Sequence, residues 1–354
     1  MDITFLVGNG FDLSLGHKTS YKDFYEYYLQ QPNNPGHEDA ISRLKASINE
    51  DRKKGYKDWS DFEIGLGISS KSFSLDEVNE YVDACSDAIQ YMNDYLSNLP
   101  RKNTIDAMSE KQWDIARKNL CNFFLDARGE DKALFSRLRH DEQDHGLESR
   151  FHFISFNYTN FLDEYIAKMA QKPLETWKHS SGERKHILDS DVFHVHGQLN
   201  DFPIVGVSDA RQILNQSLLK SSYLRQTLIK PNGIAEIRST RYSEAKATID
   251  KSRIICLLGL SLGDSDEHWW YYVNKWLKND QNRHLFIFEH TDNPPNNTVI
   301  ADYFQKRRNV AYRLLKQSDF SDEEKESLLS RIYVVFNTKK VLVFPKKVNS
   351  INLH

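Results

Sequence analysis

The chain has few cysteines, no long hydrophobic run and no leader-like start, and each shortage excludes a class of protein. Its three cysteines, Cys85, Cys121 and Cys256, are far apart and form no Cys-x-x-Cys pair, which argues against a disulfide framework and a cysteine zinc site. No apolar run approaches membrane-spanning length, and no basic, apolar leader precedes the first predicted strand. We therefore expect a cytoplasmic protein without a membrane partner.

The chain also lacks a strong charge of either sign and several common catalytic motifs. With 47 Lys and Arg against 50 Asp and Glu, the formal net charge is -3, so we do not expect nucleic acid as a partner. A Walker phosphate loop and a His-Glu-x-x-His helix are both missing. Of His194 and His196, only His196 stands at the end of its predicted strand, where a side chain can reach the ligand-binding edge of a sheet. We therefore predict no metal site from this pair.

What is present begins with an apolar run at 3–7 that leads into Gly-Asn-Gly-Phe-Asp at 8–12. Uncharged β-branched and apolar residues predict a buried parallel strand. A glycine turn after such a strand lets backbone amides approach a pyrophosphate. The dehydrogenase fingerprint requires a third glycine where this chain has Leu13, so hydride transfer is disfavoured. A tight turn without a ligand fits the same residues, and both interpretations stay open.

Strands and helices alternate along the rest of the chain. Further strands are predicted at 151–156, 192–195, 253–258, 284–288, 332–336 and 341–344. Helices are predicted at 21–29, 75–99, 105–138, 161–169, 210–219, 242–249, 269–277 and 300–315, and a loop at 171–191. This order predicts an α/β fold whose mostly parallel, Rossmann-like sheet carries helices on both faces. We assign 1–37 and 147–345 to a nucleotide-binding core, 38–146 to a large helical insertion and 346–354 to a C-terminal tail.

Four polar loops, at 8–12, 157–160, 196–198 and 259–266, each follow a predicted strand. In parallel sheets ligands bind outside the carboxyl ends of the strands, so we expect these loops to surround one cleft.

The side chains in these loops suit cleavage of an N-glycosidic bond. Asn157 carries a donor and an acceptor for a ribose hydroxyl or a water, and the imidazole of His196 can take a proton from either. A carboxylate can stabilise the positive charge that develops on the ribose. The candidates are Asp12, Asp264 and Asp266. Each of these acids also fits a helix cap, and His196 also fits a histidine that is merely bonded to a neighbouring loop.

The chain resembles the AbiH family of bacteriophage abortive-infection proteins in six ordered motifs. These are Gly-Asn-Gly-Phe-Asp-Leu at 8–13, Thr-Ser-Tyr-Lys-Asp-Phe at 19–24, Trp-Ser-Asp-Phe-Glu at 59–63, Ser-Phe-Asn-Tyr-Thr at 155–159, His-Val-His-Gly at 194–197 and Leu-Gly-Leu-Ser-Leu-Gly at 258–263. The resemblance implies a role in antiphage defence, in which infected cells stop growing or die. For the motif at 59–63, the start of a helix anchored by two aromatic residues explains the residues without any function.

The same motifs resemble, more distantly, the NAD-binding domain of sirtuins and the sirtuin-like NAD hydrolases of phage defence. In that comparison the Gly-Asn-Gly turn stands for Gly-Ala-Gly, and Gly259 with Ser261 stands for a Gly-Thr-Ser cofactor loop. Asn157 and His196 match the asparagine and the histidine of the catalytic site. The resemblance implies that both are catalytic and that Gly8, Asn9, Gly10, Gly259 and Ser261 hold NAD. We add Asp12, Asp264 and Asp266, the carboxylates of the same loops, to the residues expected to bind the cofactor.

The chain departs from sirtuins in three respects. Thr159 stands where the family has an aspartate, the zinc-binding cysteines are missing, and no arginine follows Asp23-Phe24. The missing zinc module argues against protein deacylation.

We therefore expect an NAD glycohydrolase that depletes NAD during infection, in response to a phage-derived trigger and with a possible second copy or partner protein. One alternative is a non-catalytic switch that senses a nucleotide or a phage component through the helical region. Another is a metal-dependent nuclease built on Asp264 and Asp266, with Asp12 as an optional third acid.

Overall fold

The computed structural model describes residues 1–54, 59–100, 104–238, 240–296, 298–338 and 340–342. Its strands are β1 (Asp2–Val7), β2 (Arg150–Ser155), β3 (Thr176–His179), β4 (Gly182–Lys185), β5 (Ile187–His194), β6 (Ile254–Leu258), β7 (His284–Glu289) and β8 (Ile332–Phe336). Six of them form one parallel sheet in the order β5-β2-β1-β6-β7-β8. The predicted parallel sheet is confirmed.

Two predictions about strands need correction. The predicted loop at 171–191 contains the antiparallel hairpin β3-β4 and the start of β5. These hairpin residues are mostly polar and only partly buried, so they lack the apolar alternation by which a strand is recognised. Of the strand predicted at 341–344, residues 341 and 342 are not in a strand, and residues 343 and 344 lie outside the described residues, as does the predicted tail.

The α-helices are α1 (Gly10–Ser14), α2 (Tyr21–Tyr28), α3 (Glu38–Lys54), α4 (Trp59–Ser69), α5 (Val78–Ser97), α6 (Glu110–Cys121), α7 (Gly129–Asp144), α8 (Phe161–Met169), α9 (Ser222–Leu228), α10 (Lys230–Glu236), α11 (Thr240–Lys251), α12 (Glu267–Asn279), α13 (Ile300–Leu315) and α14 (Asp322–Leu328). Within the described residues, none of them is both long and apolar enough to cross a membrane.

Two predicted helices are broken in the structure. The helix predicted at 105–138 is divided into α6 and α7, and Gly129 at the start of α7 has a φ of 49°. The helix predicted at 210–219 is replaced by two short 3₁₀ helices. Asp209 precedes the first of them and Asn215 the second. Each of these side chains accepts a hydrogen bond from the backbone N–H of the residue two positions further along the chain. Such local side-chain bonds compete with a continuous α-helix.

Helices cover both faces of the sheet. Successive side chains of β1 point to opposite faces. Phe5 belongs to a core with Leu120 of α6 and Tyr165 of α8, whereas Leu6 belongs to a core with Trp269 of α12 and Leu314 of α13. The apolar run of β1 is therefore buried from both sides, as its composition predicted.

A further apolar core, which we call the helical cluster, is formed by α2–α5 and α9. It reaches the sheet through Tyr158, which follows β2. The helices α6 and α7, which also lie within 38–146, instead pack in the sheet core. The helices of 38–146 are thus divided between two cores. The assignment of this range to one insertion stays a prediction.

The order of the strands leaves a crevice beside β1. From β1 the chain adds β2 and β5 on one side of the sheet, and β6, β7 and β8 on the other. At such a switch point, the loops after the two central strands lead away from each other. The loops after β1 and β6 thus flank the place where a ligand of an α/β sheet is expected.

Candidate functional site

The loops at the carboxyl edge of the sheet enclose a cleft of about 470 Å³. This volume lies within the range of about 300 to 1,000 Å³ that is typical of small-molecule sites. Every predicted site residue except Asp264 lines it: Gly8, Asn9, Gly10, Asp12, Asn157, His196, Gly259, Ser261 and Asp266.

Asp264 does not take part in the cleft. Its side chain is exposed, its Oδ1 lies 3.1 Å from Lys316 Nζ, and the same oxygen accepts a hydrogen bond from Gln317 Nε2 at 2.6 Å. Asp264 and Asp266 begin and end one 3₁₀ turn, which directs their side chains differently. The structure therefore does not support Asp264 as a ligand-binding residue.

The two glycine turns are packed against each other. Gly8 N–H donates to Leu258 O and Gly10 N–H to Gly259 O, both at 2.9 Å. A Cβ on Gly10 would lie 2.6 Å from the Cα of Gly259, whose φ is 66°. Close packing of two turns therefore explains these glycines without a ligand. The amides of Gly8 and Gly10 serve the protein backbone, so they are not free to hold a phosphate.

Asp12 is fully buried at the base of the cleft. Its Oδ1 accepts a hydrogen bond from Asn157 Nδ2 at 2.9 Å, and its Oδ2 accepts one from Thr159 Oγ1 at 2.5 Å. Burial raises the pKa of Asp12 to about 7, although the hydrogen bonds from Thr159 and Asn157 act in the opposite direction. This carboxyl group therefore changes its protonation near neutral pH.

These bonds also determine which atom Asn157 offers to a ligand. Its Nδ2 donates to Asp12 and to Gly8 O, at 2.9 and 3.3 Å, so both amide hydrogens are used by the protein. Among the described residues no donor to its Oδ1 is found, and this oxygen remains as an acceptor. Behind Asn157, the ring of His194 contacts the backbone oxygen of Asn157 at 3.0 Å and Asp163 at 2.8 Å. His194 does not line the cleft.

A second polar network surrounds His196. Its Nε2 lies 3.0 Å from Asp266 Oδ1, and Lys230 Nζ lies 2.8 Å from the same oxygen. Lys230 also donates to the Glu63 carboxylate at 2.8 Å, and Tyr158 OH donates to that carboxylate at 3.1 Å. Desolvation alone would raise the pKa of Asp266, but Lys230 and His196 outweigh it and hold that pKa well below its usual range.

No sequence pattern marks Lys230 as part of this network, because the region around it lacks clear periodicity. The motif at 59–63 includes Glu63, but the start of a helix was the favoured explanation of that motif. Only the packing of α10 against α4 and the loop after β6 reveals the contacts of the two residues.

The profile of the family described as "Bacteriophage abortive infection AbiH" matches residues 4–288, which is more than half of the chain. The chain belongs to the AbiH family. Among curated proteins no match is found. The AbiH resemblance is thereby confirmed and with it the association with phage abortive infection, whereas the resemblance to sirtuins stays a prediction. The match includes both polar networks of this AbiH cleft.

The mouth of the AbiH cleft carries two cationic residues. Arg313 of α13 is paired with Glu289, which ends β7, at 2.5 Å. Lys22 of α2 is exposed, and no carboxylate partner for it is found among the residues that the structure describes. Lys22 is therefore available to an anionic ligand such as a phosphate.

A separate group in this AbiH protein has the chemistry of metal ligands but lies outside the cleft. Ligand atoms of Cys121, Glu175 and His186 lie within 4.8 Å of one another. The guanidinium of Arg139 is paired with Glu175, and the backbone N–H of Ser149 donates to His186 Nδ1 at 3.2 Å. A cation thus already neutralises this carboxylate, which disfavours a metal ion there.

Proposed function

We propose that this AbiH protein binds NAD in the cleft and hydrolyses its nicotinamide–ribose bond, which depletes the cofactor during infection. The observation that carries the proposal is the convergence of Asn157, His196 and Asp266, from loops after three strands, on one cleft beside the switch point. Counted without the hairpin, the parallel strands run 3-2-1-4-5-6, which is the order of Rossmann-type dinucleotide folds. This order supports a Rossmann-like and sirtuin-like interpretation.

The polar groups of the cleft suit the parts of a dinucleotide. Lys22 would neutralise a phosphate, and Asn157 Oδ1 would accept a hydrogen bond from a ribose hydroxyl or the attacking water. In the proposed phosphate and ribose region, the glycines of the two turns carry no side chain, so the backbone can lie close to the ligand. The residues of these turns are Gly8, Asn9, Gly10, Gly259 and Ser261.

The reaction needs one base and no strong acid. The water oxygen bonds to C1′ of the ribose while the bond from C1′ to the nicotinamide nitrogen breaks. That electron pair neutralises the ring nitrogen, so nicotinamide leaves uncharged and ADP-ribose remains. His196 takes the proton of the water through Nδ1, because Asp266 beside Nε2 favours the proton on that other nitrogen. The carboxylate of Asp12 would stabilise the positive charge on the ribose.

The test is chromatographic measurement of nicotinamide released from NAD by the purified protein, and of cellular NAD after phage challenge. General-base catalysis is worth roughly 100- to 10,000-fold, so we expect His196→Ala to lower the rate by about that factor. We expect a comparable loss for Asn157→Ala. The matched control is Asn160→Ala, which changes an exposed asparagine of the same loop outside the cleft.

If NAD stays constant during a protective response, the hydrolase proposal is wrong. The alternative of a non-catalytic switch then gains support, because Glu63 of α4 lines the cleft and would let the helical cluster sense a ligand. That alternative predicts NAD binding without release of nicotinamide. The nuclease alternative is less favoured, since Asp264 lies outside the cleft that Asp266 lines.

A further inference from the structure

Lys230 is a buried cation between carboxylates from two parts of the fold. It begins α10, and its side chain is 0% exposed. On one side its Nζ lies 2.8 Å from Glu63 of α4, in the helical cluster. On the other side it lies 2.8 Å from Asp266, in the loop that follows β6. Lys230 therefore joins the helical cluster to the edge of the sheet.

Stability alone does not account for this arrangement. Transfer of charged groups from water into the interior costs several kcal/mol per ion, and well-packed apolar residues often give equal or greater stability. A buried ion pair does, however, restrict its members to one geometry. Here it restricts Asp266 Oδ1, the oxygen that also faces His196 Nε2 at 3.0 Å.

The same contacts connect the two proposed catalytic residues. Glu63 is held from its other side by the hydroxyl of Tyr158 at 3.1 Å, and Tyr158 directly follows Asn157. The network thus runs from the loop after β2, through Glu63 and Lys230, to Asp266 and the histidine after β5. It therefore connects the backbone next to Asn157 with the side chain of His196.

We propose that Lys230 and Glu63 are positioning residues of the proposed active site, which hold Asp266 against His196 and so leave Nδ1 of the imidazole free to accept a proton. The inference rests on the proposed function. It also gives a role to the motif at 59–63, whose Glu63 carboxylate is one end of this connection.

The first experiment compares Lys230→Met with the double variant Lys230→Met/Glu63→Gln. The single variant leaves two carboxylates without their cation and is expected to lower Tm strongly. The double variant removes one of these charges and keeps an acceptor for Tyr158, so we expect Tm to recover. If the two residues position the base, kcat stays about 10- to 100-fold below the unaltered protein while KM changes little. If kcat recovers together with Tm, their role is structural and the inference is wrong.

The matched control is Lys246→Met. Lys246 is a partly buried lysine of α11 that packs on Tyr242 and Tyr272 and does not line the cleft. We expect this variant to leave kcat unchanged. The control thus distinguishes the effect of removing Lys230 from the general effect of removing a partly buried lysine. An equal fall of kcat in Lys246→Met would count against the inference.

A second readout does not depend on NAD chemistry. In ¹⁵N-histidine NMR spectra, with His196 assigned through His196→Asn, we expect one tautomer with the proton on Nε2. We expect a mixture of tautomers in the Lys230→Met/Glu63→Gln variant. Identical spectra in both proteins would overturn the inference. If the unaltered protein releases no nicotinamide, the proposed function fails, and the spectra still decide whether Lys230 and Glu63 position the histidine.

Discussion

Asp12 makes the stability of this protein depend on pH in a direction opposite to that of a salt-bridged aspartate. Burial raises its pKa from 3.8 to about 7 in the folded chain. Below pH 3.8, the pKa of an ordinary aspartate, Asp12 is protonated in both the folded and the unfolded chain, and its favourable contribution to the free energy of unfolding is fully present. As pH rises toward 7 the unfolded chain ionises first, so the contribution is lost. At about 1.36 kcal/mol per pKa unit, the whole loss is on the order of 4 kcal/mol.

The perturbation is Asp12→Asn, which removes the charge and retains the shape. The new amide can accept from Asn157 Nδ2 and donate to Thr159 Oγ1, so the buried polar groups keep partners. Between pH 5 and pH 8, linkage predicts that the free energy of unfolding of the variant rises by roughly 2 to 3 kcal/mol relative to that of the unaltered protein.

The assay is urea unfolding of both proteins at pH 5 and pH 8, followed by circular dichroism. Other titrating groups are shared by the two proteins, and their contributions cancel in the difference. As a control, Asp264→Asn at the surface is expected to change stability by about 0.5 kcal/mol or less at either pH. The reasoning is refuted if the difference between unaltered protein and Asp12→Asn is the same at both pH values.

Three further predictions concern the cleft. Gly10→Ala forces a Cβ to within 2.6 Å of the Gly259 backbone, so we expect a loss of about 1 to 3 kcal/mol in thermal unfolding; an unchanged Tm contradicts this. Lys22→Ala should weaken ADP-ribose binding about tenfold in calorimetry without lowering Tm, and equal affinity excludes a phosphate contact. Asn157→Asp brings a second carboxylate to Asp12, so its Tm should fall more at pH 8 than at pH 6, and a pH-independent change contradicts the geometry.

Much of the sheet was predictable because a buried parallel strand reads as a short, uncharged apolar run. The strand predicted at 3–7 is β1, and that at 332–336 is β8. The helix predicted at 105–138 is interrupted after Cys121, where a 3₁₀ helix at Phe123–Asp126 and the positive φ of Gly129 precede the rest of α7. The helix at 210–219 failed because Asp209 and Asn215 bond to nearby backbone amides.

The cleft was predictable in part, for a topological reason. Asn157, His196 and Asp266 follow separate strands, and parallel strands bring their carboxyl ends to one edge. Asp264 was predicted with Asp266 because both lie in the polar loop at 259–266, yet the 3₁₀ turn that they begin and end directs their side chains differently. Direction within a tight turn depends on the backbone torsion angles, which the residue types around it do not specify.

By itself the sequence determined the strands of the parallel sheet, the order of the polar loops, the need for glycine in two turns and membership of the AbiH family. Only the tertiary structure decided that the amides of Gly8 and Gly10 serve the protein backbone, and that Lys230 joins Glu63 to Asp266. Lys230 and Glu63 are 167 positions apart. Local propensity governs a strand or a turn, whereas a contact across that distance arises from the way the helical cluster packs against the edge of the sheet.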